Sequence, residues 1–115
     1  LIQAPDLRDP GRIEELAWAG EHPQSRAVLL GTSAARREVE LWEWTLAPGE
    51  RYASEADAEG WSEQIYVCAG QLTLIIEGIE HRLQVGQFQV FPSNCQYAYR
   101  NDGTVPVRFV RNVVI

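Results

Sequence analysis

The sequence lacks several residue types that common protein functions need. It contains no methionine, no lysine, and only two histidines and two cysteines in 115 residues. Its ten cationic residues are all arginines, they form no cluster, and the formal net charge is −6. A basic surface that would bind nucleic acid directly is therefore not expected in this chain. Cys68 and Cys95 do not make a disulfide framework, and both are predicted to be reduced thiols.

Long apolar runs are also missing. No stretch approaches the about 20 apolar residues of a membrane span, and the N-terminus lacks the pattern of a signal peptide. These absences favour a cytoplasmic protein without membrane contact. The length suits one domain with a single core. Because the sequence begins at Leu1 and has no methionine, we expect further residues upstream of it in the complete protein.

The pattern along the chain indicates an all-β fold. Residues 1–24 mix proline, glycine and one short apolar run, which predicts a linker or a peripheral N-terminal segment. Residues 25–115 are predicted to form the domain. Alternating apolar and polar residues predict strands in this part at 27–30, 38–46, 63–68, 71–76, 81–85, 88–91, 96–100 and 105–115. No convincing 3.6-residue period is present, so an antiparallel sandwich or jelly roll is expected.

Two glycine-bounded segments have a regular spacing. In the first, a Pro48-Gly49 turn is followed by Glu63 and, after six further residues, by Gly70. In the second, Gly86 is followed after five residues by Pro92, and the segment continues to residues 97–101, which have the sequence Tyr-Ala-Tyr-Arg-Asn.

These segments resemble the two motifs of the cupin superfamily. The sequence of residues 97–101 is similar to a segment of the C-terminal cupin sensor domains of Xre-type helix-turn-helix transcriptional regulators. The resemblance covers roughly residues 36–112 and implies a single-domain cupin jelly-roll β-barrel, also called a double-stranded β-helix.

The metal-binding part of the cupin pattern has changed in this sequence. The resemblance allows two alignments of the first motif. One alignment puts Asp57 at a histidine position, and the other puts Glu55 and Asp57 at the two ligand positions. In the second motif, the resemblance puts Tyr97 at the histidine position. Zinc and iron prefer imidazole or thiolate donors, and these positions offer carboxylates and a phenol instead. We therefore expect no metal and no other cofactor. An oxygen-only site from Glu55, Asp57 and Glu63 is the alternative.

The resemblance also implies which side chains face the barrel interior. Glu63 and Tyr97 point inward in cupins, and strand alternation then directs Tyr99 and Asn101 to the same side. An interior with aromatic walls and a few polar groups is typical of a small-molecule pocket. The predicted ligand-binding residues are Glu63, Tyr97, Tyr99, Asp57, Trp44, Asn101 and Phe109.

Two of these residues leave a question open. Tyr97 either contributes to a pocket or fills the vacated metal space, with its hydroxyl bonded to Glu63. A carboxylate inside a barrel needs a partner, and the candidate partners of Glu63 are Arg51, Arg108 and Arg111. No catalytic residue is assigned.

The resemblance implies a function and a partner. It suggests a metal-independent, effector-binding domain of a bacterial transcriptional regulator, which forms a homodimer, binds a small molecule, and reaches DNA only through a helix-turn-helix domain missing upstream. One alternative is a small cupin isomerase, epimerase or dioxygenase in which Glu63 and Tyr97 transfer protons. The other is a structural barrel that only dimerises.

Overall fold

The fold is built from ten β-strands in two layers. The computed structural model describes residues 12–33 and 36–115. The strands are β1 Arg12–Ala19, β2 Arg26–Ser33, β3 Val39–Leu46, β4 Arg51–Ser54, β5 Ser62–Ala69, β6 Gln71–Ile76, β7 Ile79–Gln84, β8 Phe88–Pro92, β9 Tyr97–Arg100 and β10 Val107–Val114. The described residues contain no helix, and hence none of a length and apolarity that would cross a bilayer.

The strands form two antiparallel sheets. The larger sheet has the order β1-β2-β3-β10-β5-β8, and the smaller has the order β4-β9-β6-β7. Strands that are distant in the sequence become neighbours: β10 at the C-terminus lies between β3 and β5. The all-β, antiparallel prediction is confirmed. Within the described residues the hydrogen bonds run in two separate sheets, so the barrel has the flattened form of a jelly roll.

All eight predicted strands are present, and the structure adds two. β4 was not predicted, because four residues give too little alternation to register as a strand. β1 occupies part of the predicted N-terminal segment and pairs with β2 at one end of the larger sheet. Residues 1–11 lie outside the described residues, and the proposed boundary between residues 24 and 25 stays a prediction.

The core lies between the two sheets and is strongly aromatic. Alternate residues of β10 face inward, so that Val107, Phe109 and Val113 are buried while Arg108 is exposed. Across β10, Phe109 is paired with Trp44 on β3. The two rings are stacked, with centroids 5.9 Å apart and an interplanar angle of 7°. Both rings also make edge contacts with the ring of Tyr99 on β9.

Two turns show why glycine is needed at particular positions. Glu77 and Gly78 join β6 to β7 with φ values of 50° and 78°, as a two-residue hairpin with both central φ values positive requires. Gly70 joins β5 to β6 at φ +75°, and a Cβ there would lie 2.5 Å from the carbonyl oxygen of Pro106 and 2.8 Å from Cα of Val107.

This close approach gives a stability prediction. Gly70→Ala is expected to lower the free energy of unfolding by at least about 3 kcal/mol, because the added methyl meets backbone atoms that cannot rotate away. Gly60→Ala is the control: Gly60 has φ +89° with nothing within 4 Å of the added Cβ, so it bears only the backbone cost of about 1 kcal/mol. Urea unfolding measures both, and equal losses would contradict the steric explanation.

Candidate functional site

A buried carboxylate lies between the two sheets. Glu63, on β5, is 1% exposed. Its Oε2 accepts a hydrogen bond from Tyr97 Oη at 2.6 Å, and its Oε1 accepts one from Tyr99 Oη at 2.5 Å. Both tyrosines are on β9, two positions apart, so strand alternation directs them to the same side. The carboxylate thus connects the two sheets through two short hydrogen bonds.

Arg111 supplies the buried positive charge. It is 6% exposed and faces inward from β10. Its Nη1 donates to Tyr99 Oη at 2.9 Å and lies 3.8 Å from Oε2 of Glu63. The guanidinium carbon lies 4.6 Å from the ring centroid of Trp42 and 5.1 Å from that of Trp44. Arg111 and Glu63 therefore form a buried ion pair, and the guanidinium of Arg111 also makes cation–π contacts with both tryptophan rings.

Burial sets the ionisation behaviour of the site. It raises the pKa of Glu63, although Arg111 and the hydrogen bonds from Tyr97 and Tyr99 act in the opposite direction. Burial is also the main cause that raises the pKa values of Tyr97 and Tyr99, and the charge on Glu63 adds to it. Both phenols therefore keep their protons at neutral pH and act as hydrogen-bond donors.

Tyr97 has one proton and two carboxylate neighbours. Its Oη lies 2.6 Å from Oε2 of Glu63 and 3.2 Å from Oδ2 of Asp57, which is half-buried. A single O–H group donates to one acceptor at a time. The contact with Asp57 is favourable when Glu63 carries a proton, because Tyr97 then accepts from Glu63 and donates to Asp57. Tyr97, Glu63 and Asp57 therefore form one hydrogen-bonded cluster.

This cluster gives a pH prediction. The folded protein binds the Glu63 proton more tightly than the unfolded chain, because the pKa rises above its ordinary value of 4.5. The contribution of Glu63 to stability is thus fully present below that value and is lost as pH rises through the raised pKa. Glu63→Gln removes this titration. The free energy of unfolding of the wild type minus that of Glu63→Gln is expected to fall as pH rises from about 4 to neutrality.

Urea unfolding at a series of pH values measures this difference directly. Subtracting the variant removes the titration of the other acidic groups, provided that they are unchanged between the two proteins. A difference that rises with pH would contradict the raised pKa.

The predicted site residues mostly converge. Glu63, Tyr97, Tyr99 and Asp57 form the hydrogen-bonded cluster, and the rings of Trp44 and Phe109 border it through edge contacts with Tyr99 at 5.1 and 5.2 Å. Tyr97 fills the space next to Glu63, as one of the two interpretations predicted. That any of these residues binds a ligand stays a prediction.

Asn101 is the exception among them. It is fully buried, but its Nδ2 donates to the carbonyl oxygens of Leu46 and Val105, and its Oδ1 accepts from the backbone N–H of Gly103. These three bonds use both amide hydrogens and the oxygen. Asn101 therefore holds the loop between β9 and β10 in place, and its amide has no free hydrogen for a ligand.

The structure decides which arginine pairs with Glu63. Arg51 and Arg108 are exposed, whereas Arg111 is buried against the carboxylate. The alternation of β10 contains the signal, since Arg111 lies two positions after the buried Phe109. Sequence reasoning missed Tyr52 on β4, whose ring centroid is 4.8 Å from that of Trp44. It also missed that Nε of Arg111 is buried without a hydrogen-bond partner.

Within residues 12–33 and 36–115, no group of three or more histidine, cysteine, aspartate or glutamate side chains is placed to hold a metal ion. Glu55 is exposed rather than directed at Glu63. Phenol Oη of Tyr97 instead lies where Glu63 and Asp57 converge. Cys68 and Cys95 are both free thiols.

Comparison with protein families identifies the fold. Residues 42–115 match the family model described as the cupin domain. The chain belongs to the cupin family. Both cupin motifs predicted from the glycine and proline spacing lie inside this match, and the jelly-roll prediction is confirmed with the family.

Solved structures give more specific likenesses. This cupin is similar to the cupin domain of an XRE family transcriptional regulator from Enterobacter cloacae, with 28% identity and a TM-score of 0.66 over 67% of this chain and 81% of that one. It is also similar to an HTH_3 family transcriptional regulator from Vibrio cholerae, with 26% identity and a TM-score of 0.72 over 80% of this chain. It spans only 51% of the Vibrio chain.

Other solved structures have lower sequence identity to this chain and show only that the fold is shared. A predicted oxalate decarboxylase from Thermotoga maritima is 15% identical with a TM-score of 0.64, over 78% of this chain and 79% of that one. No curated protein sequence matches this chain.

Proposed function

We propose that this cupin is the metal-independent effector-binding domain of a bacterial transcriptional regulator. The observation that carries the proposal is the likeness, above 25% identity, to the cupin domain of one regulator and to part of another. The share of the Vibrio regulator left uncovered corresponds in this proposal to a DNA-binding helix-turn-helix domain in another part of the same polypeptide. This chain, with net charge −6, does not contact DNA itself and works in the cytoplasm.

The interior chemistry supports an organic effector. Glu63 and Arg111 offer one acceptor and one donor group within a wall of aromatic rings, which suits a small molecule with both polar and apolar parts. Nε of Arg111 lacks a partner, and a buried unpaired donor favours a ligand that carries a hydrogen-bond acceptor. The effector is therefore expected to bind with an oxygen acceptor at Arg111.

Tyr97 has to move for this to happen. Its phenol occupies the position next to Glu63, so the effector displaces it and takes over its hydrogen bond to the carboxylate. β9 carries Tyr97 and pairs with both β4 and β6. A displaced ring therefore shifts the smaller sheet, and an effector that prefers the shifted form changes the arrangement of the attached DNA-binding domain.

The proposal is tested by ligand binding. A library of metabolites is screened against the purified protein by thermal shift, and hits are measured by calorimetry on wild type, Glu63→Gln and Glu59→Gln. Glu63→Gln is expected to weaken binding by about 10-fold or more, because the charged acceptor at the centre is lost. Glu59 is exposed, and Glu59→Gln is the control for the same charge change. Equal affinity in all three would remove Glu63 from the site.

Two further measurements separate the parts of the proposal. The DNA upstream of the Leu1 codon is expected to encode a helix-turn-helix pattern, and its absence would contradict the regulator assignment. Elemental analysis after incubation with manganese, iron, nickel and zinc is expected to find no bound metal. Near-stoichiometric metal that survives dialysis would contradict metal independence and favour an enzyme.

The enzyme alternative is favoured by one contact, between Glu63 and Tyr97 at 2.6 Å. Efficient proton transfer needs pKa values drawn towards the working pH. Burial moves the pKa of Tyr97 away from neutrality instead. The pair is therefore better suited to holding a proton than to transferring one, and the sensor remains the preferred function.

A further inference from the structure

The hydroxyl of Tyr97 lies at a point where two carboxyl groups converge. Its Oη is 2.6 Å from Oε2 of Glu63 and 3.2 Å from Oδ2 of Asp57, and a hydroxyl has only one hydrogen to donate. An ammonium group has three N–H donors and a positive charge. Placed where this hydroxyl lies, an ammonium group donates to both carboxylates at once, through hydrogen bonds that its charge strengthens. When both carboxyl groups are ionised, the position therefore suits a ligand ammonium better than it suits the phenol.

Two buried N–H groups near this position lack a hydrogen-bond partner. Nε1 of Trp44 and Nε of Arg111 are buried, and within residues 12–33 and 36–115 neither meets an acceptor. The two side chains form a cation–π pair, with the guanidinium carbon 5.1 Å from the centroid of the Trp44 ring. Unpaired buried donors are unfavourable. A carboxylate has two acceptor oxygens, so one ligand carboxylate supplies the acceptors that both groups lack.

The charges of the interior favour a ligand that carries both groups. Glu63 and Arg111 form a buried pair without net charge, in which Nη1 lies 3.8 Å from Oε2. A ligand with a single charge adds an uncompensated charge to this pair, which is unfavourable in a buried site. A zwitterion adds no net charge. Asp57 does not change this argument, because it is half-buried and its charge remains partly hydrated.

The spacing and the walls of the site define the rest of the ligand. Oη of Tyr97 and Nη1 of Arg111 lie 2.6 and 3.8 Å from the same oxygen, Oε2 of Glu63, so the two charged groups have to be close together in the ligand. In an α-amino acid one carbon atom carries both groups. The ring of Tyr97 lies 5.5 Å from the ring of Phe91 and 5.7 Å from that of Tyr99. The space that this ring vacates is therefore lined by aromatic rings and suits an apolar side chain.

We infer that the effector site of this cupin binds a free α-amino acid with an apolar side chain. Its ammonium group replaces the hydroxyl of Tyr97 between Glu63 and Asp57, and its carboxylate accepts hydrogen bonds from Arg111 and Trp44. The inference rests on the proposed effector-binding function and narrows it to one chemical class. It makes Asp57, together with Glu63, specific for the amino group of the ligand.

The test compares ligands that lack one of the two charged groups. The twenty standard amino acids are screened against the purified protein by thermal shift, and calorimetry gives the dissociation constants of the hits. The tightest binder is then compared with its own deaminated acid and its own decarboxylated amine; for phenylalanine these are 3-phenylpropanoate and phenethylamine. Each analogue is expected to bind at least about 10-fold more weakly than the amino acid, because a buried charged group of the protein loses its partner.

Asp57→Asn shows which end of the ligand this residue contacts. It is expected to weaken binding of the amino acid by about 10-fold and to leave the deaminated acid within about 2-fold of its affinity for wild type, because that analogue has no ammonium group. Glu59 is exposed in the same loop between β4 and β5. Glu59→Gln is the control for the lost carboxylate charge and is expected to change neither affinity by more than about 2-fold. Thermal unfolding without ligand shows whether both variants are folded.

Three results would each overturn the inference. They are no change in melting temperature with any of the amino acids at about 10 mM, an amine or acid that binds as tightly as its amino acid, and equal affinities of Asp57→Asn and Glu59→Gln for the amino acid. A metabolite of another class that binds wild type and loses affinity in Glu63→Gln would then leave the effector-binding function standing. If no metabolite binds, the proposed function fails together with the inference.

Discussion

Arg111→Met is expected to lower the free energy of unfolding by about 3–5 kcal/mol, because it leaves a buried carboxylate without its cation. Methionine preserves most of the apolar volume beside Trp42 and Trp44, so little of the loss comes from a cavity. The charge of Arg111 holds the pKa of Glu63 below the value that burial alone would give. Its removal therefore raises that pKa further, so the stability of the variant falls over a wider range as pH rises than that of the wild type.

A double substitution separates the charge from the packing. If the unpaired carboxylate causes the loss, Arg111→Met combined with Glu63→Gln is more stable than Arg111→Met alone, by about 1–3 kcal/mol. Both proteins and the Glu63→Gln single variant are measured by urea unfolding at pH 7, which completes the cycle. The interpretation fails if the double variant is less stable than Arg111→Met, since packing or the tyrosine hydrogen bonds would then dominate.

Tyr97→Ala is expected to cost about 3–5 kcal/mol, because it removes a buried ring and leaves a cavity beside Glu63. Tyr97→Phe separates the contributions, since it keeps the ring and removes only the hydroxyl. Its loss is expected to be about 1–3 kcal/mol, from a carboxylate left without one donor. Both losses are measured by urea unfolding. Equal losses in the two variants would show that the ring itself contributes little and that Tyr97 does not plug the interior.

The cavity also tests whether the interior can be reached by a small molecule. Phenol is expected to raise the melting temperature of Tyr97→Ala, because it refills the cavity and donates to Glu63, and to leave the wild type unchanged. Thermal unfolding over a phenol series measures the shift. No shift would mean that an effector cannot enter by displacing Tyr97. A similar shift in wild type and variant would mean that phenol binds elsewhere.

Parts of the fold and of the site follow from the sequence pattern because they depend on local rules. Strand alternation places Tyr97 and Tyr99 on one side of β9, and Val107, Phe109 and Arg111 on one side of β10, whatever the partners are. Alternation does not reveal β4, because that strand is only four residues long and shows too little of the pattern. Glycine and proline spacing carried the resemblance to the cupin motifs because turns restrict the backbone locally.

The sequence by itself determined the all-β class, the eight predicted strands and the cupin resemblance, and through that resemblance the inward direction of Glu63. Alternation separates Arg111 from Arg108, but only the tertiary structure decided that Arg111, rather than Arg51, pairs with that carboxylate, and that Tyr97 occupies the space beside it. It also showed that the amide of Asn101 is fully used by the backbone. These outcomes depend on contacts between strands far apart in the chain. Alternation determines on which side of a strand a side chain lies, but sheet order and register determine which neighbouring side chain it contacts.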